Sequence, residues 1–434
     1  MRGWDAARVA AAAGAELVRS AGGEPERVSI DSRAAGSGDL FVGLVGENTD
    51  GGRFAQSALD GGAWGVLVSP AFGDVTGDGA VLTAADPLAA MGVLAREWRR
   101  DLGAAVIAVT GSVGKTSTKE LLTSLLAPVR RTVSSRANFN TDIGMPPEIL
   151  AADPGTEVLV LEAAMRGFGE IATLRDICEP DVAVITNIAP VHLEQVGSLE
   201  GVAQAKAELL PGVKTAVVPA DEPLLEPYLD GLNVIRFGDD VRLDGDTVVA
   251  FDEPLDLEVP FRARHHRVNA LAAIAACLAI GVRPSGRVEL PVGHLRGERV
   301  ALPVGALVLN DCYNASPLSM RAALDELSAE PAEGRRIAVL GDMLELGAQE
   351  TELHREVGAA AAAAGVDVLV TVGPRAVAML DAFDGESYAV ADAGEAASLA
   401  DELIEAGDVV LVKGSRGVGL EVVAEALLEA APHG

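Results

Sequence analysis

Residues 104–126 read AAVIAVTGSVGKTSTKELLTSLL. An unbroken apolar run, Ala104 to Val109, leads into a turn punctuated by glycine, and the turn opens onto helical periodicity. A strand that is apolar on both faces belongs inside a parallel sheet with helices on either side. The turn itself has the spacing TGxxGKT. Gly111 and Gly114 let the backbone wrap an anion, while Ser112 and Val113 add successive N–H groups ahead of a helix N-terminus. Lys115 is placed to reach the β- and γ-phosphates of a nucleotide and Thr116 to ligate Mg²⁺, with Ser117 completing the binding segment. Val109 stands where the usual Walker pattern has its first glycine, so this is a variant loop.

Outward from this unit the pattern repeats. EVLVLEAA, VAVITNIA and TAVVPA are apolar strands, each trailed by helical spacing, and DGDTVVAFDEPLDLEVPF reads as a hairpin. RVNALAAIAACLAIG is a helix closed by Gly281. Before residue 104, RVSIDSR, DLFVGL and PLAAMGVLAREWRRD alternate strand and helix; after 305, ALVLNDC, RRIAVLGD, DVLVTVG and VVLVKGS begin a third series. The fold class is α/β in three domains: residues 1–102, a central P-loop domain with a parallel sheet over 103–304, and a Rossmann-like unit over 305–434.

Composition narrows the function. A formal net charge of −30 argues against general nucleic-acid binding, which needs a basic surface. Three widely spaced cysteines form neither a disulfide framework nor a zinc pattern, and with no signal peptide in view a cytoplasmic protein is expected. No apolar run is long enough for membrane insertion. Only five of the 34 basic residues are lysines, which makes each lysine informative.

Lys206 is the odd one. In GVAQAKAELL, on a helix that Ser198 can cap, Leu199, Val202, Leu209 and Leu210 fall on one side and Glu200, Gln204 and Glu208 on the other. Lys206 sits amid the apolar side, where an ammonium is expensive unless paired, neutralised or modified. A lysine snorkelling past Leu209 to solvent fits the same letters. Glu162, at the end of VLVLE, and His192, just beyond VITNIA, stand where ligands gather in open α/β sheets. A solvated acid and a hydrogen-bonded structural histidine fit that spacing as well. Glu194 reads as structural.

In order along the chain come VTGSVGKTSTKELL, NFNTDIGMPPEIL, LEAAMRGFGEI, NIAPVHLEQVGSLEGVAQAKAEL, HHRVNALAA, NDCYNASP, LGDMLELG and VKGSRGVGLE, preceded by SIDSRAAGSGDLFVGLVGENTDG. This series resembles the Mur ligases, the ATP-dependent amide-forming enzymes of peptidoglycan synthesis. YNASP, GDMLELG and KGSRG together are most similar to the members that join D-alanyl-D-alanine to UDP-N-acetylmuramoyl-tripeptide. The resemblance implies a UDP-sugar-binding first domain, ATP and Mg²⁺ as cofactors, an acyl-phosphate intermediate, and a third domain that closes over the site of a monomeric enzyme.

It also implies roles for residues. Lys115, Lys206 and His192 become catalytic; Thr116, Glu162 and His192 become Mg²⁺ ligands, with Lys206 as a CO₂-derived carbamate. Asn269, Arg296, Asp311, Tyr313 and Asn314 become nucleotide contacts. Ser32, Arg33, Asn138 and Asn140 become candidates for the UDP-sugar end, and Lys413, Ser415 and Arg416 for a substrate carboxylate. The chain departs from the pattern at His266, Ser316, Gly52 and Ala164, where asparagine, asparagine, histidine and glycine are usual. Another Mur-type ligase adding a single amino acid, a folylpolyglutamate-like ligase and a P-loop switch are the alternatives. The first lacks its DNPR string here, the second lacks the first domain, and the third has no need of a polar third domain.

Overall fold

Three sheets carry the chain in the computed structural model, which describes all residues except 47–48, 137–138, 262, 290–296 and 430–434. The first has Arg27–Ser29, Asp39–Val42, Gly65–Val68 and Ala80–Thr83 in parallel, with Glu16–Arg19 antiparallel on the far edge. The second has ten strands. Its parallel part runs Thr132–Ser134, Val158–Glu162, Ala105–Thr110, Val182–Ile185, Thr215–Pro219, Asn233–Phe237. It then passes into the expected hairpin material, Val241–Asp244, Thr247–Ala250 and Glu253–Glu258, which pair antiparallel.

The central strands are apolar throughout because helices cover both faces, and Val106 to Val109 are all 0 % exposed. The strand before the phosphate loop lies between Val158–Glu162 and Val182–Ile185. Glu162 and the segment after Ile185 therefore leave the sheet on either side of that loop, at its carboxyl edge.

The third sheet is parallel over Leu307–Asn310, Val409–Lys413, Arg336–Gly341, Val368–Val372 and Glu386–Val390. The last strand of the chain inserts beside Leu307–Asn310, which brings NDCYN and KGSRG together at one end. Glu298–Ala301 pairs antiparallel with Leu307–Asn310, so this sheet starts upstream of residue 305.

Helix Pro87–Leu102 links the first sheet to the second. Trp98 packs edge-on against Trp4, its indole N–H donates to Ala152 O (3.0 Å), and Arg99 donates to Cys178 O and Glu179 O. One buried apolar core runs from Met1 and Trp4 through Leu94 and Trp98 to Leu161, Ile177 and Leu209. The third sheet has cores of its own.

The helix bearing Lys206 is shorter than its periodicity suggests. It spans Leu199–Ala207, capped by Ser198 Oγ accepting from Gly201 N, and Leu209 and Leu210 are buried in the turn that follows. Leu199 is 36 % exposed, whereas Lys206 is 2 % exposed.

Candidate active site

The phosphate loop needs both of its glycines. Gly111 has φ +146°, and a Cβ there would lie 1.9 Å from Thr186 Oγ1; Gly114 has φ +84°, and its Cβ would lie 2.5 Å from Asn269 Oδ1. The segment after Ile185 holds the loop open. Asn187 Oδ1 accepts from Val113 N (3.0 Å), Asn187 Nδ2 donates to Val113 O (2.8 Å), and Thr186 Oγ1 donates to the same carbonyl (2.6 Å). Ser112 Oγ donates to Ala189 O (3.0 Å). Lys115 Nζ folds back to Gly111 O (2.9 Å) and Ser112 O (3.3 Å), poised over the loop it serves.

Beside the loop, Thr116 Oγ1 donates to Glu162 Oε2 (2.7 Å) and Asn140 Nδ2 donates to Glu162 Oε1 (2.9 Å). Glu162 is 2 % exposed, so its charge is concentrated at this spot rather than dispersed in water. His192 is in the left-handed region (φ +53°), and its Nδ1 lies 2.5 Å from Glu345 Oε2, a residue of the third unit. Burial lowers the basicity of His192; Glu345 opposes this, while Lys206 and Lys115 add to it. Lys206 has no ion-pair or hydrogen-bond partner among the described residues, and burial followed by the charge of Lys115 drives its amine well below the usual lysine range. Both effects favour the neutral amine over the ammonium.

A cleft of about 1700 Å³ joins the central and third units. Ser112, Val113, Gly114, Lys115, Thr116 and Ser117 line it, together with Asn140, Glu162, His192 and Asn269; so do Asp311, Tyr313, Asn314, Lys413, Ser415 and Arg416 across the gap. Of these, Lys413 is already engaged. It is 2 % exposed and its Nζ donates to Asp311 Oδ2 (2.6 Å), Asn314 O (2.9 Å) and Asp311 O (3.3 Å). Ser415 Oγ accepts from Leu344 N (3.0 Å), and the exposed Arg416 guanidinium lies 5.4 Å from the centre of the Tyr313 ring.

Ser32 and Arg33 are not among the residues lining this cleft. Arg33 pairs with Asp31 (2.8 and 2.9 Å), whose carboxyl is pushed down to about 2 by hydrogen bonds from the Arg33 side chain and backbone. Asn138 and Arg296 lie outside the described residues.

Four participants were missed by sequence reasoning. Thr186 and Asn187 follow a strand directly, a signal that could have found them. Glu345 lies in GDMLELG, which carried the family resemblance but assigned that residue no role; His354 gave no signal. His354, buried in helix Glu350–Ala363, accepts from Met343 N through Nε2 (3.0 Å), and its Nδ1 lies 2.8 Å from Glu350 O. It thereby braces the loop that carries Glu345.

Residues 109–277 match the Mur ligase middle domain and residues 295–416 the Mur ligase, glutamate ligase domain. The UDP-N-acetylmuramoyl-tripeptide–D-alanyl-D-alanine ligase of Bacillus subtilis is 34% identical, covering 93% of each chain; that of Escherichia coli is 35% identical, covering 93% of this chain and 94% of its own. Among solved structures, MurF from Acinetobacter baumannii superposes with a TM-score of 0.88 at 29% identity, covering 98% of this chain and 99% of that one. MurF ligase from Thermotoga maritima in complex with ADP gives 0.79 at 28% identity, covering 93% and 97%.

Proposed function

The chain belongs to the Mur ligase family, and from that premise we propose that it joins D-alanyl-D-alanine to UDP-N-acetylmuramoyl-tripeptide with conversion of ATP to ADP and phosphate. The observation that carries this reading is the shared cleft. The phosphate loop and Glu162 on one wall face Asp311, Tyr313, Asn314 and Arg416 on the other.

A carboxylate and an ammonium do not condense in water, because the carboxylate is a poor electrophile. Transfer of the γ-phosphoryl group to the tripeptide carboxylate makes an acyl phosphate and releases ADP. The dipeptide amine, having lost a proton, then attacks the acyl carbon; the C–O bond breaks and phosphate leaves.

The residues here suit those demands. The amides of Gly114, Lys115 and Thr116 cradle phosphate oxygens, and Lys115, released from Gly111 O and Ser112 O, neutralises charge on the group in flight. Asn269 braces Gly114 from behind. Asp311, Tyr313 and Asn314 contact the nucleotide from the third unit, with Lys413 holding Asp311 and Asn314 in position. The exposed Arg416 guanidinium, beside the Tyr313 ring on that wall, receives the dipeptide carboxylate.

The donor set also fits Mg²⁺: a hydroxyl, a buried carboxylate and an imidazole at Thr116, Glu162 and His192, beside a buried amine, Lys206, that has no partner until it becomes a carbamate. When bound, Mg²⁺ would screen the phosphate charge and orient the transferring group. Residues 1–102 bind the UDP-sugar, the central unit the nucleotide, and the third unit, whose sheet begins at Glu298–Ala301, closes over both, excluding water from the acyl phosphate. One chain supplies both walls, which suits a monomer working in the cytoplasm where nucleotide substrates are made. No helix among the described residues is long and apolar enough to cross a membrane.

The test is ADP release measured with each substrate omitted in turn. Turnover should require both UDP-N-acetylmuramoyl-tripeptide and D-alanyl-D-alanine, and the product mass should equal their sum less water. Equal ADP release without the dipeptide, or stimulation by single amino acids only, would sink the proposal.

A further inference from the structure

A second cluster of ligating side chains lines the same cleft, between the helix that carries Asn269 and the third unit. Among the described residues, His265, His266 and Glu326 are the one set of three histidine, cysteine or acidic side chains whose ligand atoms all lie within 4.8 Å of one another. The histidines begin helix Arg264–Ala279 of the central unit, and Glu326 projects from helix Pro317–Ala329 of the third. The two imidazoles lie against each other with centroids 4.0 Å apart, and His266 also meets the Phe261 ring at 5.8 Å. His266 Nδ1 is buried without a hydrogen-bond partner, so the protein's own groups leave the cluster incompletely satisfied.

We propose that His265, His266 and Glu326 form a site for a borderline transition-metal dication of the Zn²⁺ type, which fastens the third unit to the central one.

The ligand chemistry selects the class of ion. Two imidazoles and one carboxylate suit zinc and its neighbours, whereas Mg²⁺ prefers oxygen and keeps its water. Three protein ligands leave a fourth, open position. Zinc–ligand bonds of about 2.0–2.2 Å put tetrahedral ligands roughly 3.3–3.6 Å apart, so ligand atoms within 4.8 Å of one another close by a side-chain adjustment of at most about 1.5 Å. Burial keeps both imidazoles in the neutral form that ligates. The cations that face the cluster are committed elsewhere: Lys413 to Asp311 and Asn314, and Arg299 to Glu330. Asp311 adds negative charge at close range. The three ligands and the ion differ from those of the Mg²⁺ group, and a titration without nucleotide reads this site whether or not the ligase reading holds.

The experiment uses the full chain, stripped of metal by chelator and free of nucleotide. Zn²⁺ is titrated calorimetrically in the presence of excess Mg²⁺, with the Co²⁺ ligand-field spectrum as a second readout. The wild type should bind one more equivalent of Zn²⁺ than Glu326→Gln or His266→Asn, or bind it roughly tenfold more tightly or better. Zn²⁺ should raise the melting temperature of the wild type alone. Glu326→Gln keeps the shape of the side chain, and its circular dichroism verifies the fold, so this variant decides the matter even if His266→Asn unfolds. A wild type without zinc affinity, or the same stoichiometry and affinity in folded Glu326→Gln, overturns the site.

Discussion

His192 Nδ1 and Glu345 Oε2, 153 residues apart in sequence, lie 2.5 Å from each other across the boundary between the central and third units. A carboxylate on one ring nitrogen fixes the tautomer and orientation of the imidazole and leaves the other nitrogen for the cleft. Glu345 is therefore a positioning residue. Its own backbone is left-handed (φ +61°), which points to a conformation held for the purpose by the surrounding loop. Glu345→Gln should lower kcat by about 10–100-fold and raise the Mg²⁺ concentration needed for half-maximal rate, with little change in KM for the dipeptide. A kcat loss that extra Mg²⁺ does not alter at any concentration would remove Glu345 from this role.

The loop that carries Glu345 depends on a neutral histidine. His354 accepts from Met343 N, and burial, against smaller opposing effects of Glu350 and Asp342, holds its basicity below the ordinary value; Arg375 acts with burial. With the folded state resisting a proton that the unfolded state takes up near 6.5, the His354 contribution is complete above that pH. It is lost progressively as the pH falls below it. Melting temperatures of wild type and His354→Gln, followed from pH 8 to 5, should converge on acidification. At pH 8 the variant should be less stable by about 1–3 kcal/mol, the scale of an orphaned buried N–H. A constant gap across that range would exclude the linkage.

Asn187 shapes the phosphate loop without touching the reaction. It makes two hydrogen bonds to the backbone of Val113, at 3.0 and 2.8 Å. Asn187→Ala should weaken ADP binding by roughly 5–100-fold, two hydrogen bonds of about 0.5–1.5 kcal/mol each, while the melting temperature without nucleotide changes little. Calorimetric titration of ADP checks the first half and a thermal melt without nucleotide the second; unchanged affinity would mean the loop holds its shape unaided.

Lys206→Ala should reduce kcat by about 10²–10³-fold, the scale of losing one charge-stabilising group in a closed site. Short carboxylates such as acetate should restore part of it by occupying the place of a carbamate. Intact-mass or ¹³C NMR measurements in labelled bicarbonate report the modification directly. Near-wild-type turnover in Lys206→Ala would take this lysine out of the mechanism.

What could be read from the letters was local. The TGxxGKT turn, the apolar strands and the placement of Glu162 and His192 at strand ends all follow from spacing within a few residues. The place of Lys206 on an apolar helix side also followed, though not the choice between burial and a snorkel to solvent; its helix stops at Ala207, where the chain turns to bury Leu209 and Leu210. The long-range pairings were illegible. Lys413 is engaged by Asp311, about a hundred residues away, and Glu326 meets two histidines from another sheet's helix. Such partnerships depend on how sheets are docked, and no periodicity encodes that.

The core that runs unbroken from Trp4 through Trp98 to Leu161 gives the first and central units a single mechanical frame. The third unit has cores of its own and meets that frame across the cleft, through contacts such as that of His192 with Glu345. If the nucleotide-sugar anchors on the first unit, its peptide end meets the phosphate loop at a span set by that frame and not by closure. The molecule then works as a gauge for length: peptides one residue short or long would bind at the sugar yet fail to reach the transferring phosphate, a selection made before the second substrate arrives.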